Sequence, residues 1–233
     1  MGLPISLALR GGHADDTAAW DEALAQLRHV DEVFSTYRPD SVISRLGRGE
    51  ITEDECPPEV HEVLTLARQA ERASDGAFSA WRSGTLDPSG VVKGWALERA
   101  AMALEALVDT DFCLSGGGDM ICRSAAQPWR IGIEDPHDTG RIRATLDVRD
   151  GAVATSAASR RGRHIADART GLPPAAVASV TVVAGSLTRA DIDATAAYAR
   201  GPDAARWLGH RVGRTGLVVW ADGSTTTVGD TAP

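Results

Sequence analysis

The chain has 233 residues, with 24 Lys plus Arg against 32 Asp plus Glu and a net charge of −8. At 43% hydrophobic and 24% charged, it has the balance of a globular chain, either one ordinary domain or two small units sharing a core, and not of a disordered one. The acidic surplus argues against general nucleic-acid binding, which needs a basic surface to neutralise phosphates, and no apolar run approaches the roughly 18–20 residues that span a bilayer.

The start, MGLPISLALRGG, has no basic n-region and only a short apolar stretch, so it does not read as a signal peptide. Pro4 to Leu9 alternate weakly and predict a strand. Asp15 and Asp16 open an amphipathic helix whose buried face carries Trp20, Leu24, Leu27 and Val30. FSTYRPDSVISRL follows as a polar loop. Pro57 and Pro58 start a second helix with Val60, Val63, Leu64 and Ala67 inward, and SDGAF ends it with a glycine. Residues 92–108, rich in Ala and Leu, predict a third helix. The remainder is mostly β: Phe112–Leu114, Trp129–Ile133, Arg143–Val148, Ala152–Thr155, Val177–Ala184 and Gly216–Trp220. A helix over 187–200, capped by Ser186 or Thr188, interrupts these strands, and the last pair turns at Asp222-Gly223. Helices first and strands later, without βαβ alternation, predict an α+β fold with antiparallel sheet.

Cys56, Cys113 and Cys122 are few and unevenly spaced. That suits structural thiols in a reducing compartment, and as the sequence stands it points to the cytoplasm. The basic residues are almost all arginine; Lys93 is the one lysine, and there is no Asn. An ammonium is a compact point charge that a planar guanidinium does not replace, so Lys93 marks a specific need.

Four segments could carry chemistry. LDPSGVVKGWALERA (86–100) runs from Asp87 through Gly90 into a helix, where free N–H groups and Lys93 suit an anion such as phosphate; an ordinary capped helix reads equally well. LSGGGDM (114–120) allows close backbone approach to a ligand or simply a tight turn. In TRADIDATAAYARG (188–201), Asp191 and Thr195 share a helix face and offer hard oxygen ligands, although spacing alone fits a partly exposed helix as well. In RHIADARTG (163–171), His164 stands three residues before Asp167, as a general base beside a carboxylate would. No Cys/His zinc spacing, G-x-S-x-G elbow or P-loop is present.

The order of these segments is more specific than any one of them. STYRPDS, SDGAF, LDPSGVVKG, LSGGGDM, WRIGIEDP, RHIADARTG and TRADIDATA occur in a succession that resembles the FAD:protein FMN transferase (ApbE) family over about residues 1–220. The resemblance implies one ApbE-like domain over 1–233, an α+β fold related to T-folds, and FAD and Mg²⁺ as substrate and cofactor. It implies transfer of FMN from FAD to a Thr or Ser hydroxyl of an acceptor flavoprotein, with release of AMP. By position, Asp191, Thr195 and the Gly90 carbonyl match metal positions. Met1, Tyr37, Ala77, Phe78, Asp87, Lys93 and Ile165 match flavin-nucleotide contacts, with Tyr37 suited to ring stacking. His164 and Lys93 match the catalytic groups. The segment FSAWRSGTLDPSG is shorter than the family's, and Ser79 stands where the family has Asp. Two alternatives stay open: an FAD pyrophosphatase giving FMN and AMP, or a non-catalytic flavin-binding protein. Neither a nucleic acid nor a membrane span is expected, and a homodimer is open to the chain.

Overall fold

The computed structural model describes residues 2–15, 17–82, 84–158 and 165–229. Strand β1 (Ile5–Gly11) is followed by helices α1 (Ala18–Phe34), α2 (Val42–Gly47) and α3 (Pro58–Ala73). A small hairpin, β2 (Trp81–Arg82) and β3 (Thr85–Leu86), precedes α4 (Ser89–Glu105). Then come β4 (Thr110–Gly116), β5 (Asp119–Arg123), β6 (Trp129–Asp135), β7 (Asp138–Val148), β8 (Gly151–Ala157) and β9 (Val177–Ala184). Helices α5 (Leu187–Ala199) and α6 (Ala204–Gly209) and strands β10 (Thr215–Trp220) and β11 (Thr225–Val228) complete the order.

The architecture is α+β, as the order of elements predicts. Seven antiparallel strands form one sheet in the order β1-β4-β5-β8-β9-β10-β11. Strand periodicity sorts its side chains: Phe112, Leu114 and Ile121 join the main core with the helices, while Cys113 and Cys122 point to the other face. There the separate β6–β7 hairpin covers a smaller cluster built on Cys122, Ile131, Val148 and Val153.

Helices α4 and α5 are buried nearly all round, so neither has the one-sided stripe of a surface helix. Both are rich in Ala, and they pack closely against each other. A Cβ on Gly94 would stand 2.7 Å from the Leu187 carbonyl oxygen and 2.8 Å from Asp191 Cβ. The α4–α5 contact therefore requires a glycine at this point.

Several boundaries differ from those predicted. The third helix begins at Ser89, not near Val92, and ends at Glu105. Asp87 Oδ1 accepts the Ser89 N–H (3.1 Å), and the Val92 N–H already reaches the Pro88 carbonyl (3.1 Å), so a first turn forms before Val92. In α1 the buried stripe is Ala19, Ala23, Leu27, Val30 and Val33, with Trp20 and Leu24 only half-buried. The loop expected over FSTYRPDSVISRL contains α2, capped by Ser41, whose Oγ accepts the Ser44 N–H at 3.1 Å. The second helix, the Ser186 cap and the Asp222-Gly223 turn stand where predicted. Strand β5, the β2–β3 hairpin and α6 have no counterpart in the sequence pattern; each is too short to show a clear period.

Gly94→Ala should cost about 1–3 kcal/mol through overpacking, read as a lower urea midpoint. Gly185→Ala, with nothing within 4 Å of its added Cβ, should stay within about 0.5 kcal/mol of the parent. Equal midpoints for the two variants would refute the close-packing account.

Candidate active site

A cavity of about 270 Å³ opens between α4, α5, the β4–β5 turn, β8 and the β6–β7 hairpin. A charged cluster from three elements far apart in sequence sits at its floor: Lys93 from α4 and Asp191 from α5 line the cavity, and Asp119, from the start of β5, is buried behind Lys93. Lys93 Nζ lies 2.6 Å from Asp119 Oδ2 and 3.2 Å from Asp191 Oδ1. Each carboxylate is anchored by its other oxygen. Asp191 Oδ2 accepts the Gly94 N–H (2.9 Å), and Asp119 Oδ1 accepts the Thr155 N–H (3.1 Å).

Both aspartate side chains are at most 2% exposed, and Lys93 is 17% exposed. Two buried carboxylates against one ammonium leave a surplus negative charge once both are ionised. Burial pushes the Asp191 carboxyl up to about 7; Lys93 pulls against this, and the Asp119 charge adds to it. Burial also works against the Lys93 ammonium, but the two carboxylates outweigh it and hold its pKa above the ordinary lysine value. Lys93 is therefore a fixed positive charge.

Asp191 and Thr195 lie one turn apart on α5, and both line the cavity. Thr195 Oγ1 shares a hydrogen bond with Ser156 Oγ of β8 (3.1 Å). Gly90, in the first turn of α4, faces them across the floor: a Cβ there would stand 2.8 Å from Phe78 Cε2 and 3.5 Å from Thr195 Cγ2. At the mouth, Asp87 Oδ2 accepts from Arg82 Nη2 (3.2 Å). Gly117 and Gly118 form the two-residue β4–β5 turn with φ of 61° and 97°, and both line the cavity. The Gly-rich segment is thus a tight turn and a close backbone approach at once.

Of the residues singled out from sequence, Ala77, Phe78, Asp87, Gly90, Lys93, Ile165, Asp191 and Thr195 all line this one cavity. Ile165 is brought there by the Ala168 N–H, which donates to the Ala77 carbonyl at 3.0 Å. Tyr37 does not line the cavity; it is 94% exposed. Met1 and His164 lie outside the described residues. Asp167, read as the partner of His164, is engaged by Arg169, whose Nε and Nη2 donate to it at 2.9 and 2.7 Å, and its carboxyl is held below the ordinary range. Sequence reasoning missed Asp119, Thr155, Ser156 and Arg82. Only Asp119 had a signal, an acid placed directly after a glycine turn.

The fold is shared with solved ApbE structures. The ApbE protein of Thermotoga maritima superposes with a TM-score of 0.85 over 96% of this chain and 93% of that one, at 22% identity. The sequence profile of the ApbE family matches residues 1–82 and 80–216, and the chain belongs to that family. Among curated relatives, an FAD:protein FMN transferase of Rhodobacter capsulatus is 30% identical over 186 residues, which are 75% of this chain and 33% of that one. An FAD:protein FMN transferase of Escherichia coli (strain K12) is 30% identical over 148 residues, 58% of this chain and 41% of that one. The matches thus span about a third to two fifths of those relatives' own length.

Removing one partner of a buried charge cluster leaves the others uncompensated. Lys93→Met should lose about 3–5 kcal/mol of stability, and adding Asp119→Asn should recover part of that by removing the surplus charge. Urea titrations of the parent, single and double variants would check this; a Lys93→Met midpoint equal to the parent's would contradict it.

Proposed function

We propose that the chain is an FAD:protein FMN transferase that moves FMN from FAD to a Thr or Ser hydroxyl of an acceptor flavoprotein and releases AMP. The observation that carries this reading is the convergence of the only lysine, Asp191, Thr195 and Gly90 on one cavity, with Asp119 buried behind the lysine, in a chain of this family.

The residues fit Mg²⁺. The Asp191 carboxylate, the Thr195 hydroxyl and the Gly90 carbonyl offer oxygen alone, as a hard cation prefers. The surplus negative charge of the floor favours a cation. The Gly94 N–H, which a regular helix would aim at the Gly90 carbonyl, donates to Asp191 Oδ2. When bound, the ion would supply Lewis-acid neutralisation of the pyrophosphate.

The chain's own groups do the remainder. Lys93, held by two carboxylates, presents a preorganised ammonium to phosphate oxygens and needs little reorganisation as charge shifts. Gly117 and Gly118 let the backbone approach the ligand. Phe78, Ile131, Ile133 and Val153 give the cavity an apolar wall suited to a flavin ring and to excluding water. In the reaction the acceptor oxygen bonds to the FMN phosphorus, the bond from that phosphorus to the AMP oxygen breaks, and AMP leaves. His164, by family position, takes the hydroxyl proton, and the neighbouring Ile165 stands on the cavity wall. Met1 and Tyr37 are proposed as flavin-nucleotide contacts, Tyr37 with an aromatic face for stacking.

Incubation with FAD and Mg²⁺, with and without a protein carrying the motif Asp-x-x-[Thr/Ser]-Gly-Ala-[Thr/Ser], tests the proposal by AMP release and acceptor mass. An acceptor gain equal to FMN, coupled to AMP, is the expected result. AMP and free FMN without labelling would make the chain a pyrophosphatase, and bound FAD with neither product would make it a binding protein. Asp191→Ala, or chelation of the metal, should slow AMP release about 100-fold or more. Unchanged FAD cleavage by Asp191→Ala would overturn the metal assignment.

A further inference from the structure

We propose that Cys113 and Cys122 form a reversible disulfide site, oxidised by low-molecular-weight disulfides and reduced by dithiols. The β4–β5 register sets the two residues directly opposite each other, and their sulfurs lie 3.4 Å apart. Facing residues in an antiparallel pair have Cα atoms about 4.5–5.5 Å apart, inside the roughly 4.4–6.8 Å that a disulfide accepts. The Gly117-Gly118 turn, with both φ angles positive, pins this register.

The two thiols are not equivalent. Cys113 is half-buried and reachable, whereas Cys122 is buried. The Cys122 thiol donates to Cys113 Sγ, which lowers the Cys113 pKa; burial opposes this and Arg10 adds to it. The same hydrogen bond, together with burial, pushes the Cys122 thiol up. Cys113, the more exposed of the two, is placed to attack an external disulfide, and Cys122 behind it to resolve the adduct.

With glutathione disulfide, the Cys113 thiolate bonds to one glutathione sulfur and expels the other half as a thiolate. Cys122, losing its proton to solvent, then attacks Cys113 Sγ and expels the second glutathione thiolate. Two protein thiols are oxidised, one external disulfide is reduced, and the two protons end on the released thiols. The link bears on the cavity. Met120, Ile131 and Val153, which pack in the cluster around Cys122, also line the cavity wall.

Cys56 lies apart, its thiol donating to the Thr52 carbonyl (3.4 Å), and serves as an internal control. The folded full chain would be treated with glutathione disulfide, alkylated in denaturant and mapped by mass spectrometry. The expected result is loss of two alkylatable thiols, with Cys113 and Cys122 joined, Cys56 alkylated, and all three thiols restored by dithiothreitol. Cys122→Ser should hold one glutathione on Cys113 without closing a ring. The proposal is overturned if the parent keeps three alkylatable thiols, stops at a glutathione adduct on Cys113, or links either cysteine to Cys56. The parent map decides alone should the variant fail to fold.

Discussion

Lys93 stands between Asp119 and Asp191, and through that cluster α4, β5 and α5 are tied at one point. Each carboxylate uses its second oxygen on backbone, Asp119 on Thr155 of β8 and Asp191 on Gly94 of α4. Charge at this depth is tolerated only when it is paired and hydrogen-bonded. The cluster meets both conditions, and the second carboxylate beside a single ammonium adds to the burial that raises Asp191. An arginine would not serve here. Its guanidinium presents donors in a plane, whereas two carboxylates on different elements converge on a single nitrogen.

Backbone proximity is the second constraint. At Gly94 the close approach of α4 and α5 lets the helix N–H reach the Asp191 carboxylate. At Gly90 the absence of a side chain leaves room beside Phe78 and Thr195. The Ala-rich character of α4 and α5 belongs to the same design: small side chains let two central helices pack closely enough for their polar groups to meet over the cavity floor.

The face of the sheet away from the helices has its own logic. The β6–β7 hairpin covers a small apolar cluster, and that cluster shares Ile131 and Val153 with the cavity. Packing around Cys113 and Cys122 therefore adjoins the cavity wall. At the other end of the cavity, the segment after Phe78 carries the β2–β3 hairpin and brings Arg82 to Asp87. Arg82 and Asp87 thus set a charged pair on that side of the cavity.

The α+β class, the long helices, the cap at Ser186 and the turn at Asp222-Gly223 follow from periodicity and local stereochemistry, so they are legible in the sequence. Eight of the singled-out positions, Gly90, Lys93, Asp191 and Thr195 among them, share the cavity because chain order and motif chemistry already marked them. Short elements escaped, since β5 and α2 are too brief for a period to show. Asp119 escaped because a carboxylate beside a glycine turn becomes informative only once folding brings it 2.6 Å from a lysine 26 positions earlier in the chain. The pairing of Cys113 with Cys122 is hidden for the same reason: strand register, not spacing, sets two thiols face to face. Local sequence determined which residues could carry charge, bend the chain or bind a cation. Tertiary packing alone decided which of them meet, because burial and distance, not identity, set how strongly buried charges and thiols act on one another.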